Sequence, residues 1–545
     1  MSHKNEHSRY ANTRETPNVF MFVFNNSKHD ARVLKEAKTL ADAGYNVTIV
    51  AILDKNTEPY EERDGFSITR VKLDPVHIRL LRSYREGRDV LYYTKAALLY
   101  PIQILVSAIR WLRPKAGRVG QTILLFGQKI FDLSKQAFVL ALKIVASPIV
   151  IAAKIFGAAN PPRKKRVTRT WYLRVGRPLK IFWYRHVKRA WNLWVRRPLK
   201  LAGSKIHKQT YAFLKSVLMR FHRPLSYLDY YQRAAKVIPD GEVDIFHGHD
   251  LNALPAAFLA RRKNTSARVI YDSHELYVER NTQRKKGFWY KFLTSQLEKY
   301  LIRRSSAVIT VNNAIAEELA RRYKINKPVV IRNVPYKLKV NIDDSAERAG
   351  YDLKTILGIA NDTPLLLYLG GITFNRGIEE LIESLVHLDD CRLAVVGYGP
   401  DKYKKELSDL ATELGVNDRL FFYGPVEHRL VPLFAASADL GVAPIKNCCL
   451  SYYLSLPNKL FEYIAAGLPV IGSNLPEIRG VIEEYKIGAV FDPEDPADIA
   501  EAAKSILSDK SAYQRMRSNA HKAAEVLNWE NESKKLVELY SRMSG

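Results

Sequence analysis

Apolar residues along the chain follow two periods in turn, and this alternation predicts layers of strand and helix. "NVFMFVFNN", from Asn18, is a continuous apolar run of strand length. "DARVLKEAKTLADAGYN" then repeats its apolar residues at helical spacing as far as Gly44, and "VTIVAI" gives a second buried strand. Strands that are apolar on both faces and joined by helices predict a parallel sheet, so the first element pair is Rossmann-like.

The alternation stops after Asp74-Pro75 and returns at "DIFHGH", which begins at Asp244. Strand patterns then recur in "RVIYDSH", "AVITVN" and "VVIRN", and a second series begins with "LLLYLG" and "RLAVVG" after a polar linker. We therefore predict an α/β fold of two Rossmann-like domains facing a cleft, with a mainly α-helical insertion in the first. The predicted boundaries are 18–75 and 236–335 for the N-terminal domain, 76–235 for the insertion, 336–525 for the C-terminal domain and 526–545 for a C-terminal helix.

The excess positive charge of the chain is confined to the predicted insertion. Residues 76–223 contain 32 Lys and Arg but three acids, which accounts for the whole net charge of +29. The three cysteines, at 391, 448 and 449, lack metal-ligand spacing and are compatible with a reducing cytosol. The first 18 residues are polar, so we expect no secretory signal.

The insertion combines apolar stretches with a basic aromatic one. Residues 96–112 and 137–159 are apolar but carry prolines and basic residues, so whether 137–159 spans or lies on a membrane stays open. "RPLKIFWYRHVKRAWNLWVRRPLK", from Arg177, has the composition of either a nucleic-acid surface or a membrane-interface helix. The adjoining apolar stretches favour an anionic membrane surface over nucleic acid, and leave a protein-contact role as a further alternative. The candidate membrane residues are Trp171, Trp183, Trp191, Trp194, Arg177 and Arg197.

The most specific string is "LPNKLFEYIAAGLPVIGSNLPEIRGVI", from Leu456. A helix here places Lys459 and Glu462 on one face. A carboxylate at the carboxyl end of a parallel sheet suits hydrogen bonding to a ribose diol. The alternative is a solvated Lys459–Glu462 pair with no role in binding. The chain contains no Asp-x-Asp motif, so we expect no metal clamp.

Four strings together resemble the GT-B glycosyltransferases of the large retaining family four (glycosyl transferases group 1). "FEYIAAGLPVI" matches the family's Glu-centred helix, and "LGGITFNRGIEELIESL" matches its glycine-rich loop. "VVGYGP" matches the next strand end, and "HGHDLNALPAA" matches an N-terminal histidine motif. The resemblance covers 18–75 and 236–545, and implies a nucleotide-sugar on the C-terminal domain and an acceptor on the N-terminal one.

The resemblance also implies roles for individual residues. Glu462 would bind the donor ribose and Arg376 the diphosphate, while Gly370, Gly371 and Gly397 would admit the donor close to the backbone. Glu477 would contact the far side of the nucleotide pocket or cap a helix. His249 would lie near the transferred sugar or bond to backbone at a strand end.

Further expectations concern the first turn and two departures from the family pattern. The first turn would contact the acceptor or donor phosphate, or be merely polar; its residues are Asn26, Lys28, Asp30 and Arg32. The family's acidic residue is Leu454 here and its first-loop arginine is Gly371. Lys459 would then supply the missing cation.

The resemblance implies a retaining glycosyltransferase with a nucleotide-sugar donor, UDP being the commonest in the family, and we expect no metal or other cofactor. Same-face attack, with the departing phosphate deprotonating the acceptor, is carried over from the family. The enzyme would sit, peripheral or monotopic, on the cytoplasmic face of the cell membrane and extend a lipid-linked or polysaccharide acceptor of a cell-surface glycan. A sugar-nucleotide epimerase of the same fold, or a catalytically silent sugar- or membrane-binding scaffold, are the alternatives.

Overall fold

The computed structural model describes residues 16–86, 211–212, 214–241, 243–282, 286–338 and 350–544. The chain divides into two compact units, Met1–Leu73 with Tyr230–Gly545, and Asp74–Asp229. The larger unit contains two sheets. The six membrane residues predicted in the insertion lie outside the described residues, so their assignment stays a prediction: Trp171, Trp183, Trp191, Trp194, Arg177 and Arg197.

The first sheet has eight strands in the order β3-β4-β2-β1-β5-β6-β7-β8. All neighbouring strands are parallel except the edge pair β3–β4. Because β1 lies between β2 and β5, the chain order reverses there and a crevice opens at the carboxyl ends of these strands. The strands are β1 Asn18–Phe22, β2 Asn46–Leu53, β3 Tyr60–Arg63, β4 Phe66–Lys72, β5 Ile245–His249, β6 Arg268–Ser273, β7 Ala307–Thr310 and β8 Val329–Val330.

The second sheet has six parallel strands in the order β11-β10-β9-β12-β13-β14. Its chain order reverses at β9, so a second crevice opens beyond the carboxyl end of that strand. The strands are β9 Leu365–Leu369, β10 Arg392–Val396, β11 Leu420–Tyr423, β12 Leu440–Ala443, β13 Val470–Ser473 and β14 Gly488–Phe491. The α/β architecture with two Rossmann-like sheets is therefore confirmed.

The helices begin at caps that the sequence supplies. Asp30, Asn312, Asp495 and Asp509 each accept a hydrogen bond from a backbone N–H in the first turn of the helix that follows. The α-helices are α1 Ala31–Asp42, α2 Val76–Arg85, α3 His222–Lys236, α4 Leu254–Ala260, α5 Phe288–Ile302, α6 Asn313–Tyr323, α7 Leu353–Leu357, α8 Ile378–Glu383, α9 Asp401–Glu413, α10 Val431–Ala435, α11 Leu450–Tyr453, α12 Asn458–Ala465, α13 Pro476–Tyr485, α14 Pro496–Leu507, α15 Lys510–Ala524 and α16 Trp529–Ser544. None of the helices within the described ranges combines the length and the apolar character that crossing a bilayer requires.

A hairpin at the edge of the first sheet was not predicted. β3 and β4 pair antiparallel around Asp64-Gly65, both of which have positive φ, at +48° and +88°. Asp-Gly between two strands is a strong local signal for such a turn, so the sequence did contain the information. The polar linker predicted before "LLLYLG" likewise includes a short helix, α7.

Helix α16 returns from the second sheet and packs against the first. The Trp529 indole donates to Thr39 Oγ1 at 2.9 Å, and the Tyr540 hydroxyl lies 2.7 Å from His247 Nδ1. Both aromatic side chains are fully buried. The two Rossmann-like sheets are thus joined by packing as well as by the chain that connects β8 to α7.

The packing of Tyr463 beneath Gly441 allows a test of the second sheet. A Cβ at position 441 would lie 2.4 Å from the Tyr463 ring, which cannot move because its hydroxyl accepts from Leu369 N and donates to main-chain carbonyls. Gly441→Ala should therefore lower the free energy of unfolding by about 1–3 kcal/mol. Gly480→Ala, at an open position in helix α13, should instead stabilise by roughly 0.5–1 kcal/mol. Urea unfolding measures both, and equal effects would contradict the packing described.

Candidate active site

A cavity of about 670 Å³ lies where residues from the carboxyl ends of both sheets meet. Its lining contains four of the predicted site residues, Asn26, Asp30, Arg32 and Glu462, and so brings the first turn of one sheet to the Glu-centred helix of the other. The complete lining is Asn25, Asn26, His29, Asp30, Ala31, Arg32, His274, Val311, Asn333, His428, Leu456, Asn458 and Glu462.

The first turn, between β1 and α1, is held by its own hydrogen bonds. Asn26 donates to Asp54 at 2.7 Å and accepts from the Lys28 amide at 3.0 Å. Asp30 accepts from the Asn25 amide group at 2.7 Å while capping α1. Asn26 and Asp30 face the cavity, whereas Lys28 is exposed and outside its lining.

Arg32 lines the cavity but is already fully engaged. Its Nε and Nη2 donate to the two oxygens of Asp272 at 2.8 and 3.0 Å, and its Nη1 donates to the Ile331 carbonyl at 2.8 Å. Burial opposes the charge on Arg32, but Asp272 and Glu36 outweigh it and raise the pKa of the guanidinium. Arg32 therefore shapes the cavity wall more than it offers a free cation.

Behind Arg32 lies a buried cluster formed by Glu36, His247, His249 and Asp272, whose ligand-type atoms lie within 4.8 Å of one another. Burial raises the pKa of Glu36 and lowers that of His247 well below its ordinary value. Despite its burial, Asp272 has a pKa well below the ordinary value, because Arg32 and His274 stabilise its charge. Arg32 Nε is 3.1 Å from Glu36 and 2.8 Å from Asp272, so one guanidinium serves both carboxylates.

Of the two histidines at the ends of β5 and β6, His274 lines the cavity and His249 does not. His249 is 1% exposed, stacks on His247 with ring centroids 4.2 Å apart, and is absent from the cavity lining. Its Nδ1 lies 3.2 Å from His274 Nε2. Sequence reasoning missed His274, although it follows β6 directly and β6 neighbours β5, which ends at His249.

His274 is set between two carboxylates. Its Nε2 lies 3.1 Å from Asp272 and its Nδ1 lies 3.6 Å from Asp250. Burial alone would lower its pKa, but Asp250 and Asp272 outweigh burial and raise the pKa to about 10. His274 is thus an imidazolium at neutral pH, held between Asp250 and Asp272 at the cavity wall.

Helix α12 places Glu462 in the cavity and Lys459 beside it. Burial raises the pKa of Glu462, whose Oε1 lies 4.0 Å from His428 Nε2. Lys459 is buried, its Nζ lies 3.2 Å from the centroid of the Tyr368 ring, and that nitrogen has no hydrogen-bond partner among the described residues. Burial, followed by the charge of Arg376, lowers the pKa of Lys459 well below its ordinary value. The solvated Lys459–Glu462 pair is therefore not formed.

The glycine-rich loop after β9 lies against Lys459. A Cβ at Gly397, where φ is +154°, would lie 1.9 Å from the Gly370 carbonyl oxygen, so only glycine admits this loop. The site for a Cβ on Gly370 is 3.8 Å from Lys459 Cε, and Gly371 accepts a hydrogen bond from Tyr368.

Arg376, at the end of the glycine-rich loop, is the second cation there. Its guanidinium lies 5.0 Å from the Tyr452 ring centroid, and its buried Nε makes no hydrogen bond within the described ranges. Arg376 and Lys459 thus each have a buried nitrogen with no hydrogen-bond partner among the described residues, beside open backbone, and this arrangement suits a bound anion. Arg376, Lys459 and the glycines are not part of the cavity lining.

Two residues singled out in the sequence join the two sheets instead of lining the cavity. Glu477 Oε1 accepts from the Ala314 amide at 2.7 Å and so caps helix α6 of the first domain. The Leu454 carbonyl accepts from Asn312 at 2.8 Å, and its side chain packs against the apolar core of the first domain. The position where the family carries an acid is thus used for domain contact.

The raised pKa of His274 predicts a pH-dependent stability. Because its folded-state pKa of about 10 exceeds the ordinary value of about 6.5, its contribution is complete below about pH 6.5 and is lost as pH rises towards 10. The free energy of unfolding of His274→Gln should therefore differ from that of the parent by on the order of 1–3 kcal/mol near pH 7 and by much less near pH 10. Urea unfolding across this range measures the difference, with exposed His387→Gln as the control. A difference that does not change with pH would contradict the assignment.

Two family models match the chain. "Glycosyltransferase Family 4" matches residues 165–334, and "Glycosyl transferases group 1" matches residues 352–523. The first match begins within the segment predicted as an insertion. The second includes the glycine-rich loop, Lys459, Glu462 and Glu477.

Two curated relatives are also named as sugar transferases. A D-inositol 3-phosphate glycosyltransferase from Xylanimonas cellulosilytica is 26% identical over 254 residues, which are 45% of this chain and 59% of that protein. An alpha-D-kanosaminyltransferase from Streptomyces kanamyceticus is 25% identical over 227 residues, which are 41% of this chain and 56% of that protein. This chain thus spans less than two thirds of either relative.

A sucrose-phosphate synthase from Thermosynechococcus elongatus has a TM-score of 0.55 at 15% identity, and the alignment covers 97% of this chain and 99% of that one. At this identity the likeness concerns the fold alone. Together with the two family matches, it confirms the predicted two-domain GT-B fold and the likeness to group 1 and family 4 glycosyltransferases.

Proposed function

We propose that this GT-B-fold chain is a retaining glycosyltransferase that moves a sugar from a nucleoside diphosphate sugar to a membrane-linked acceptor in cell-surface glycan synthesis. The observation that carries the proposal is the cavity that joins Glu462 of the second domain to Asn26 and His274 of the first. Donor and acceptor would thus bind on opposite walls of one crevice, at the carboxyl ends of two parallel sheets. The matches to glycosyltransferases over both halves of the chain support this reading.

The donor would bind against the second domain. Glu462 would accept hydrogen bonds from the ribose hydroxyls, and Arg376 and Lys459 would pair with the diphosphate over the glycine-rich loop. As the bond from the anomeric carbon to the diphosphate breaks, negative charge grows on the leaving oxygen, and these cations stabilise it. UDP is the nucleotide we propose for the donor.

The acceptor would bind against Asn26, Asp30 and His274. An imidazolium between two carboxylates cannot take a proton, so His274 would contribute positive charge beside the acceptor rather than act as a general base. The acceptor oxygen then bonds to the anomeric carbon from the face that the diphosphate leaves, and its proton passes to the departing phosphate oxygen. His249, with Nδ1 3.2 Å from His274, would position that ring.

We include a membrane-linked acceptor and the cytoplasmic membrane face in the proposal because of the composition of the insertion. Its basic aromatic stretch would bring the enzyme to anionic lipid, where lipid-linked acceptors reside. The names of the relatives specify an inositol phosphate and an aminosugar transfer, and neither substrate is assigned to this chain.

Replacing Glu462 or Arg376 tests the donor site. Glu462→Ala and Arg376→Ala should each lower kcat/KM by an amount equivalent to about 2–4 kcal/mol, because one orients the nucleotide and the other stabilises the leaving group. Transfer and donor hydrolysis measured against a panel of nucleotide-sugars would report both. Glu483→Ala and Arg515→Ala, exposed residues of the same charges, are the matched controls.

Near-normal turnover in a folded Glu462→Ala or Arg376→Ala variant would refute that residue's role. Loss of activity in EDTA, restored by magnesium or manganese, would overturn the metal-free mechanism. A parent protein that neither transfers nor hydrolyses any donor would favour the scaffold, and interconversion of nucleotide-sugars would favour the epimerase.

The depressed pKa of Lys459 predicts proton uptake when the donor binds. A diphosphate near Lys459 would favour the ammonium form and return the pKa towards its ordinary value, so a proton is taken up. Calorimetry of UDP binding near neutral pH, in buffers of different ionisation enthalpy, should show uptake of up to about one proton. Lys459→Met should reduce it, and unchanged uptake in that variant would contradict the assignment.

A further inference from the structure

The outward face of helix α5, Phe288–Ile302, is apolar and aromatic. Phe288, Trp289 and Leu293 are 73%, 70% and 61% exposed, and Tyr290 and Leu297 are also exposed. Trp289, Leu293 and Leu297 are spaced four residues apart and therefore form one row along the helix. Soluble monomers rarely leave a contiguous patch of this kind without a partner.

The opposite face of α5 is fixed in the first domain. Glu298 accepts hydrogen bonds from the hydroxyls of Tyr271 and Tyr323, both at 2.7 Å, and is itself buried. Leu301 and Ile302 belong to the apolar core of that domain. Because these contacts fix the helix, it cannot rotate to bury its aromatic row.

The sequence that contains α5 is predominantly basic. From Arg280 to Ala316 the sequence has eight Lys and Arg and a single acid, Glu298, whose side chain faces inward. Lys286 lies beside the row, with its Nζ 4.9 Å from the Tyr290 ring centroid. Lys291 is paired with Glu279 at 2.7 Å, but the other basic residues leave a predominantly positive surface beside aromatic rings, which complements phosphate headgroups above acyl chains.

The helix also follows the cleft directly in the chain. His274 lines the cavity, and Asn281 accepts a hydrogen bond at 3.2 Å from Asn375 in the glycine-rich loop of the second domain. Helix α5 begins seven residues after Asn281. A surface contact made by α5 would therefore lie close along the chain to the place where the two domains meet.

We propose that the exposed face of α5, from Phe288 to Leu297, inserts into the headgroup region of an anionic bilayer. This membrane contact is separate from the basic insertion. The aromatic rings would occupy the boundary between headgroups and acyl chains, where Trp and Tyr are enriched. The neighbouring lysines and arginines would pair with lipid phosphates. This contact is independent of the transfer reaction.

A fluorescent label on the helix tests the contact in the full chain. Leu293→Cys, in a background with Cys448→Ser and Cys449→Ser, would carry an environment-sensitive dye. Mixed with phosphatidylcholine vesicles that contain phosphatidylglycerol, it should show a blue shift in emission. The same dye at Tyr60→Cys, an exposed edge-strand position, should show none.

Vesicle sedimentation gives a second measurement. Phe288→Ser with Trp289→Ser should lower the partition coefficient by about tenfold or more, whereas Tyr60→Ser should not. The comparison is repeated with Trp183, Trp191 and Trp194 replaced by serine, so that any contribution of the insertion is measured separately.

Sedimentation with vesicles but no shift at position 293 would overturn the proposal. So would an equal shift with pure phosphatidylcholine, or a shift that needs only a higher protein concentration, which would indicate contact between copies of the chain. A blue shift in a protein that transfers no sugar would refute the transferase proposal and leave this contact standing.

Discussion

One buried guanidinium determines the geometry behind the cleft. Arg32 binds Asp272 through two parallel hydrogen bonds, lies 3.1 Å from Glu36 and reaches the Ile331 carbonyl, so it ties α1 to β6 and to the chain beyond β8. Two buried carboxylates would be very costly without this cation. With it, Asp272 stays ionised and holds the proton on His274. The protonation of His274 thus depends on Arg32, a residue of a different element.

The two walls of the crevice differ in how their charges are satisfied. On the first domain, the cations Arg32 and His274 are paired with carboxylates before any ligand arrives. On the second, Lys459 Nζ and Arg376 Nε are buried without a hydrogen-bond partner among the described residues, and both side chains lie over tyrosine rings. A saturated wall suits neutral hydroxyls and an unsaturated one suits an anion. This asymmetry agrees with an acceptor on the first domain and a phosphate donor on the second.

The periodic part of the fold was predictable because strand and helix patterns are local. The two sheets, most of their helices and the placement of Glu462 followed from apolar spacing and from one resemblance. The choice between His249 and His274 did not, because both follow adjacent parallel strands and only the packing of His249 on His247 shows which ring is buried. For Glu477 the sequence left a pocket contact and a helix cap open, and spacing along the chain could not reveal that the helix it caps belongs to the other domain.

The exposed face of α5 is a second feature that the sequence pattern did not predict. The inward turn of Glu298 towards Tyr271 and Tyr323 was not predicted from the sequence, and that turn leaves the aromatic row outside. Apolar residues in a helix are ordinarily read as core. Here the single carboxylate takes the buried place and the aromatic residues the exposed one.

Helix α16 has a consequence for the order in which the molecule is assembled. His247, in the middle of the first sheet, finds its hydrogen-bond partner in Tyr540, and Thr39 finds its partner in Trp529. The N-terminal domain therefore lacks these contacts until the C-terminal domain has been synthesised and folded. In a ribosome-bound chain, the surface of that domain that receives Trp529 and Tyr540 would stay uncovered until the last helix has left the ribosome.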